Sequence, residues 1–185
     1  MKTVPEAPYL NDCLVYNRDD GTLFWKVRPE CHFRTTKAWR MFNTKCAGKT
    51  ATSRHIYPNG TGCYYVSLDG HRYKAHRLIM RILGRLVDNL EIDHIDGNGL
   101  NNADANLRVA TSSQNKMNTR VRRDSGSGYK GVHYRATYVS SWYYEITKNG
   151  KRTRKAGFKT PEEAAHAREK VLSGIHGEFS KQHSR

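Results

Sequence analysis

Glu91-Ile92-Asp93-His94-Ile95-Asp96-Gly97-Asn98, followed by Asn106-Leu107-Arg108 and then by Asn115, is the stretch on which the fold turns. Leu90, Ile92 and His94 alternate with polar neighbours as a short strand, Asp96-Gly97 and Asn98-Gly99 are turn dipeptides, and Leu107-Arg108-Val109 gives a second strand. The chain must double back between them. Thr111-Ser112-Ser113-Gln114 then sets a hydroxyl three residues before a glutamine, a capping-box pattern, and opens a helix that returns Asn115 toward the first strand. One small ββα unit can hold an acidic oxygen, an adjacent imidazole and an amide oxygen together.

Those groups suit the hydrolysis of a phosphodiester. Such a reaction needs a water made nucleophilic, a cation against the phosphate charge and stabilisation of the departing oxygen. Neutral His94, with a reference pKa near ~6.5, can take the proton, while Asp93 and Asn115 offer the hard oxygen atoms that Mg²⁺ prefers, Mn²⁺ being the alternative. Two protein ligands leave room for phosphate and water. Asn106, at the junction of loop and strand, is placed to hydrogen-bond across the loop and orient the backbone that presents His94. Each residue alone could be an ordinary turn former; the joint spacing carries the reading.

With these residues in place, the segment resembles the HNH endonuclease family in its His-Asn-Asn variant, common among phage and intron-encoded enzymes. Asp93-His94, Asn106 and Asn115 fall on that family's metal-ligand and base, middle-asparagine and last-ligand positions. Tyr73-Lys74-Ala75-His76-Arg77-Leu78 resembles the His-Arg-Leu that precedes the motif, and Asn101-Asn102 sits where the family carries paired asparagines. The resemblance implies DNA contacts for His76 and Arg77, though His76 among Leu78, Ile79 and Ile82 is more readily a half-buried packing residue. It spans most of residues 9 to 119.

Composition agrees with a polyanionic partner. Lys and Arg number 32 against 17 Asp and Glu, a formal charge of +15, the electrostatic footprint of a nucleic-acid binder. At 185 residues the chain can hold one or two small domains with modest cores. With no long apolar run and no leader pattern, neither a membrane span nor a secretory signal is expected, and the protein is placed in the cytoplasm, that of a bacterial host if phage-encoded. Cys13, Cys31, Cys46 and Cys63 form no Cys-x-x-Cys pair, so free thiols and no structural zinc are expected.

Upstream, Gly21 to Val27 reads as a strand. Cys63 to Leu68, Asp69-Gly70 and His71 to Lys74 read as a hairpin, followed by a helix from Ala75 to Leu83. Residues 28 to 62, rich in Lys, Arg, Thr and Gly without steady periodicity, read as a long basic loop with fragments of strand.

A boundary is expected at residues 120–128, where arginines precede Ser125-Gly126-Ser127-Gly128, a flexible basic linker. Beyond it, Lys130 to Arg135, Ser141 to Thr147 and Arg152 to Phe158 read as strands, with Asn149-Gly150 as a tight turn. Thr160-Pro161-Glu162-Glu163 opens a helix running through about Ser173. Period-two parity sets Trp142, Tyr144 and Ile146 on the core face, and His133, Arg135, Glu145, Thr147, Arg152 and Arg154 on the other. This segment resembles the plant ethylene-response-factor (Apetala) DNA-binding domain through Tyr129-Lys130-Gly131-Val132, Trp142, Glu145-Ile146, Phe158-Lys159-Thr160, Glu162-Glu163-Ala164-Ala165 and Gly177-Glu178-Phe179. That family sets its sheet in the major groove, which implies DNA contacts for Lys130, His133, Arg135, Thr147, Arg152 and Arg154. His133 and Thr147 stand where plant members carry Arg, so base specificity does not transfer.

The expected fold class is α+β: a ββα-metal nuclease domain with N-terminal β-hairpins over residues 1–119, then a three-stranded antiparallel sheet with one helix over residues 129–185. The expected activity is cleavage of double-stranded DNA. The alternatives are a non-catalytic DNA-binding regulator built on the same scaffold and an RNA nuclease. Oligomeric state is left open by the sequence.

Overall fold

The structure is a computed structural model that describes residues 3–118, 121, 125–136, 141–148 and 151–176. It is a mixed α+β chain of two compact units, Met1–Val109 and Ala110–Arg185. Asn149-Gly150, Gly177-Glu178-Phe179 and the arginines at 120, 122 and 123 lie outside the described residues.

In the first unit, helix α1 (Ala7–Cys13) carries Pro8 in its first turn, where a missing amide hydrogen costs nothing, and buries Leu10 and Cys13. Strands β1 (Leu14–Tyr16) and β2 (Leu23–Trp25) then pair as an antiparallel hairpin, with Tyr16 opposite Leu23. Asn17 and Asp20 close its turn by accepting the amides of Asp19 and Thr22 at 3.1 and 2.8 Å.

The stretch expected to be a long basic loop is instead largely ordered. Helix α2 (Thr36–Cys46) runs through it, capped by the Thr35 hydroxyl, which accepts the Ala38 amide at 3.1 Å. Phe42 and Cys46 on this helix pack against the unit's core. Its basic residues hid that stripe, because no residue of α2 is fully buried. Asn43 fastens the helix to Arg28: its amide nitrogen donates to the Arg28 carbonyl at 3.0 Å, and its carbonyl accepts the Arg28 amide at 3.0 Å.

Strands β3 (Thr52–Ile56), β4 (Gly62–Leu68) and β5 (His71–Lys74) form an antiparallel sheet in that order. The Asp69-Gly70 turn has both residues at positive φ, 51° and 74°, the tight-hairpin geometry that this dipeptide favours. Helix α3 (Ala75–Ile82) follows at once and buries Ala75, Leu78, Ile79 and Met80 against the core formed with α1 and β4. Strands β6 (Glu91–His94) and β7 (Leu107–Ala110) make a separate two-stranded sheet. Ile92 and Leu107 anchor that sheet in the same core.

The second unit begins with helix α4 (Ser112–Met117). The Thr111 hydroxyl accepts the Gln114 backbone amide at 3.2 Å while the Gln114 side-chain oxygen accepts the Thr111 backbone amide at 2.8 Å, which completes the expected capping box. Strands β8 (Val132–Arg135), β9 (Ser141–Lys148) and β10 (Lys151–Phe158) form an antiparallel sheet with β9 central. A bulge between Ala156 and Phe158 is carried by Gly157 at φ 99°, a backbone state that side chains disfavour. Helix α5 (Pro161–His176) opens with Thr160 accepting the Glu163 amide. Ala164, Ala165 and Leu172 of α5 pack on Val132, Tyr144 and Ile146, with Trp142 beside them, as parity requires. Ser125 to Gly128 form a turn tied to this unit: the Ser127 hydroxyl donates to the Val132 carbonyl at 2.7 Å.

Candidate active site

Asp93 and His94 end β6, and both are buried, at 3% and 9% exposure. A buried carboxylate needs a partner, and Arg108 of β7 supplies it. Its Nε and Nη2 both lie 2.8 Å from Asp93 Oδ2. His94 Nε2 faces the side-chain oxygen of Asn102 at 3.0 Å. On its other side the ring meets His76 of α3 edge-on, with ring centroids 5.2 Å apart.

The loop between β6 and β7 is knotted by its own amides. Asn106, 8% exposed, accepts the Asp96 amide at 3.0 Å and donates to Asp96 Oδ1 at 3.0 Å and to the Asn101 carbonyl at 2.7 Å. Its own carbonyl accepts the Ile95 amide at 2.9 Å. One asparagine thus joins both ends of a ten-residue excursion directly beyond His94. Burial opposes ionisation of Asp96, but hydrogen bonds from the Asn98 amide, Asn101 and Asn106 outweigh it and hold the carboxyl below its ordinary range. Burial, then the nearby His94, Lys74 and Arg77, push the His76 imidazole down to about 3. A neutral His76 beside His94 adds no like charge to the site.

The structure therefore brings Asp93, His94, Asn106 and His76 together. Arg77 lies half-buried on α3. Asn115 is in α4, inside the second unit, directly after Gln114 of the capping box. A carboxylate and an amide suit a hard divalent cation; among the described residues there is no cluster of three or more His, Cys, Asp or Glu that could hold a metal ion.

Residues 73–117 match the HNH endonuclease family model. An uncharacterized HNH endonuclease of Acanthamoeba polyphaga mimivirus is 32% identical over 130 residues, covering 69% of this chain and 66% of that protein. Protein 3.8 of Escherichia phage T7 is 35% identical over 83 residues, covering 43% of this chain and 68% of that protein. The chain belongs to the HNH endonuclease family. It spans about two thirds of the length of these two relatives. A solved structure of the HNH homing endonuclease I-HmuI, described for DNA binding and cleavage, aligns over 98% of this chain and 92% of that one, at 18% identity and a TM-score of 0.40. Membership in the HNH family makes the chain an enzyme of the nuclease class, and nucleases of this family generally work with a divalent metal.

Three contributors to this candidate site escaped the sequence reading: Arg108, Asn102 and the β1–β2 hairpin, whose Tyr16 hydroxyl donates to the Asn102 backbone carbonyl at 2.9 Å. Arg108 was quoted only as a strand residue and Asn102 only as half of a family pair. The signal for Arg108 was present, since a residue one strand over from a buried Asp is the natural place for its countercharge.

In the second unit, His133, Arg135, Thr147, Arg152 and Arg154 are exposed on the sheet face opposite α5. Tyr143, absent from the expected set, lies at the centre of that face. Its ring is 5.4 Å from His133 and 5.8 Å from the Arg154 guanidinium. Glu145 pairs with Arg152 at 3.1 Å and Arg154 at 2.7 Å, and the Arg154 hydrogen bond holds its carboxyl below the ordinary range. Lys130 stands in the turn before β8, half-buried, and its ammonium donates to the Lys116 carbonyl. Burial and then Arg168 push Lys130 down to about 8. Among the described residues, no helix is long and apolar enough to cross a membrane.

Proposed function

We propose that this chain is a metal-dependent DNA endonuclease in which β6, β7 and α4 act as a ββα-metal unit. The observation that carries the reading is the burial of Asp93 and His94 side by side at one strand end, with the carboxylate pinned by Arg108 and the imidazole by Asn102. Adjacent residues on a strand point to opposite faces, so two such buried polar groups in a row need a reason beyond packing.

Asp93 and Asn115 would hold a divalent cation, Mg²⁺ or Mn²⁺, by oxygen atoms. When bound, such a cation supplies positive charge against the phosphate and the oxygen that departs from it. His94 takes the proton from the attacking water, which contributes on the order of 10²–10⁴ in rate when acid and base are well placed. Asn106 keeps the Ile95–Asp96 backbone fixed so that the ring stays in one position. Breaking the bond to the 3′ oxygen leaves 5′-phosphate and 3′-hydroxyl ends.

The β8–β10 face contributes affinity for duplex DNA through Arg135, Arg152 and Arg154, with His133, Thr147 and Tyr143 between them. His76 and Arg77 lie on the helix next to the reacting imidazole, and there Arg77 is the better phosphate partner, because His76 stays neutral. Residues 1–119 and 129–185 act as the cutting and the holding domain.

Purified protein incubated with supercoiled plasmid and Mg²⁺ or Mn²⁺ should yield relaxed or linear DNA, and EDTA should stop it. Plasmid left supercoiled with every divalent cation, while still retarded on a gel, would make the chain a binding protein. Cleavage confined to RNA would replace the substrate.

A further inference from the structure

Helix α2 has two sides. Trp39, Phe42, Asn43 and Cys46 turn inward to meet Arg28 and the core, whereas Lys37, Arg40, Met41, Thr44 and Lys45 are exposed on the other side, as 3.6 residues per turn requires. No acidic residue occurs from Cys31 through Leu68, although the chain holds 17. Arg34, Lys37, Arg40, Lys45, Lys49 and Arg54 all fall in that run, and all are exposed. Among the described residues none of these six takes a carboxylate partner.

An exposed row of cations is ordinarily a solvated face, but α2 differs in what holds it. It supplies no buried residue, yet it is tied to Arg28, itself 3% exposed. Trp39 Nε1 and Asn43 Nδ2 donate to the Arg28 carbonyl at 2.9 and 3.0 Å, and the Asn43 side-chain oxygen accepts the Arg28 amide at 3.0 Å. The Arg28 guanidinium stands 4.8 and 5.1 Å from the Phe33 and Phe42 ring centroids and donates to the Tyr9 hydroxyl at 2.7 Å and to Asp69 at 2.9 Å. Its Nε is buried without a hydrogen-bond partner. A buried cation with one nitrogen unmet is costly, and here it fixes a helix whose outward side the fold does not otherwise use.

We propose that the outward side of α2 is a docking surface for the phosphate backbone of duplex DNA, separate from the reacting site and resting on the reading of the chain as a DNA endonuclease. Lys37 and Lys45 are about 12 Å apart along the helix axis at about 1.5 Å per residue, comparable to three or four base-pair steps of about 3.4 Å. Arg40 lies between them, and Met41, 63% exposed, adds an apolar contact for the sugars. The β4–β5 hairpin sets the distance from the chemistry. Its Asp69 turn, which Arg28 grips, and Lys74, which leads into the helix of His76, lie at opposite ends of the β5 arm, roughly 15 Å apart at about 3.3 Å per residue. The phosphates that α2 meets are therefore flanking ones, not the one that is cut.

The test reads binding in the full His94→Ala chain, so that it does not depend on cleavage. Lys37→Gln with Lys45→Gln should weaken binding to duplexes of unrelated sequence alike, by on the order of 10-fold at physiological salt, and flatten the log-log salt slope by about 0.9 for each lysine. Lys37→Arg with Lys45→Arg should keep both. Lys159→Gln with Lys170→Gln, at exposed positions of the second unit, removes the same charge and should change both far less. Equal losses in the two glutamine pairs would reduce the effect to net charge and overturn the docking surface.

Duplex DNA should also shield Lys37 and Lys45 from acetylation, read residue by residue by mass spectrometry. Lysines left unshielded overturn the proposal, and shielding by single-stranded RNA but not by duplex DNA overturns the occupant. In the cleaving chain the Lys37→Gln, Lys45→Gln pair should raise KM for duplex by a similar factor, with the loss in KM rather than in kcat; a loss confined to kcat overturns the flanking position. A chain that binds through α2 yet cuts nothing defeats the nuclease reading alone, while a chain that cuts and shows none of these losses defeats the docking surface alone.

Discussion

The β6–β7 site and the open face of the β8–β10 sheet use charge in opposite ways. Asp93 and Arg108 form a pair whose side chains are 4% and 13% exposed, whereas Arg152 and Arg154, at 61% and 58%, share Glu145 on a surface. Taking both members of a pair out of water costs several kcal/mol per ion before their attraction is counted. The exposed trio costs little to form and contributes little to stability. A chain that keeps the costly arrangement at one place and the cheap one at another separates a site where geometry must not vary from a face where affinity can be tuned.

The largest expected effects lie in the buried site. His94→Ala should reduce plasmid cleavage by at least about 10² while DNA binding holds. Asp93→Ala and Asn115→Ala should each abolish cleavage supported by Mg²⁺, with Mn²⁺ restoring part of it. The comparison breaks if cleavage survives all three and is lost instead on removing Arg152 and Arg154, because the sheet face would then carry the chemistry.

Arg108→Leu comes next. It leaves the Asp93 carboxylate buried beside an apolar chain, and breaking a buried pair by removing one partner costs about 3–5 kcal/mol. Thermal unfolding should show that loss directly. Asp93→Asn with Arg108→Leu should recover much of the stability but none of the cleavage, since the carboxylate is then gone. A single Arg108→Leu that melts with the wild type would show the pair to be no deeper in its energetics than the surface trio.

A smaller effect is expected from His76. Its folded-state value near 3 lies below the ordinary value of 6.5, so the unfolded chain takes up a proton that the folded chain refuses. The sign follows: this contribution is complete above about pH 6.5 and is lost as pH falls toward 3. His76→Phe should flatten the decline of melting temperature between neutral pH and about pH 4. An unaltered decline would mean that the His76 ring is better hydrated than its place beside His94 implies.

Much of the site could be read from local sequence, because its rules are local. The Thr111–Gln114 capping box, the Asp69-Gly70 turn and the α3 stripe each depend on residues within a few positions of one another. The Asn106 bridge was legible for a related reason: an asparagine at a loop end bonds to the backbone beside it. Asn102 was not. In a stretch of turn-forming Asn, Asp and Gly, nothing local says which asparagine faces inward, and the hairpin that turns it inward lies some eighty residues upstream in the chain. Helix α2 was missed because its apolar face is narrow and half-covered, leaving Lys and Arg to dominate the pattern. Parity sorted the faces of β9 correctly, but it gave no sign that Glu145 occupies two of the arginines that the face presents.

That last point yields the smallest and most discriminating prediction. Glu145 lies opposite Arg154 in the ladder and draws in Arg152 as well, so both guanidiniums are engaged by a carboxylate. On the proposed function, DNA would have to displace Glu145 to use them. Glu145→Gln keeps the shape and removes the competitor. In a His94→Ala chain, which binds without cutting, it should tighten duplex DNA a few-fold at low salt and steepen the log-log salt slope, by at most about 0.9 for each arginine released to a phosphate. Arg152→Ala with Arg154→Ala should flatten that slope, and adding Glu145→Gln to that pair should change it far less than Glu145→Gln alone. At the buried site, by contrast, losing the partner of a charge should cost stability; here losing it should increase binding. A slope indifferent to all three residues would take the β8–β10 face out of DNA binding and leave affinity to the basic residues of the first unit.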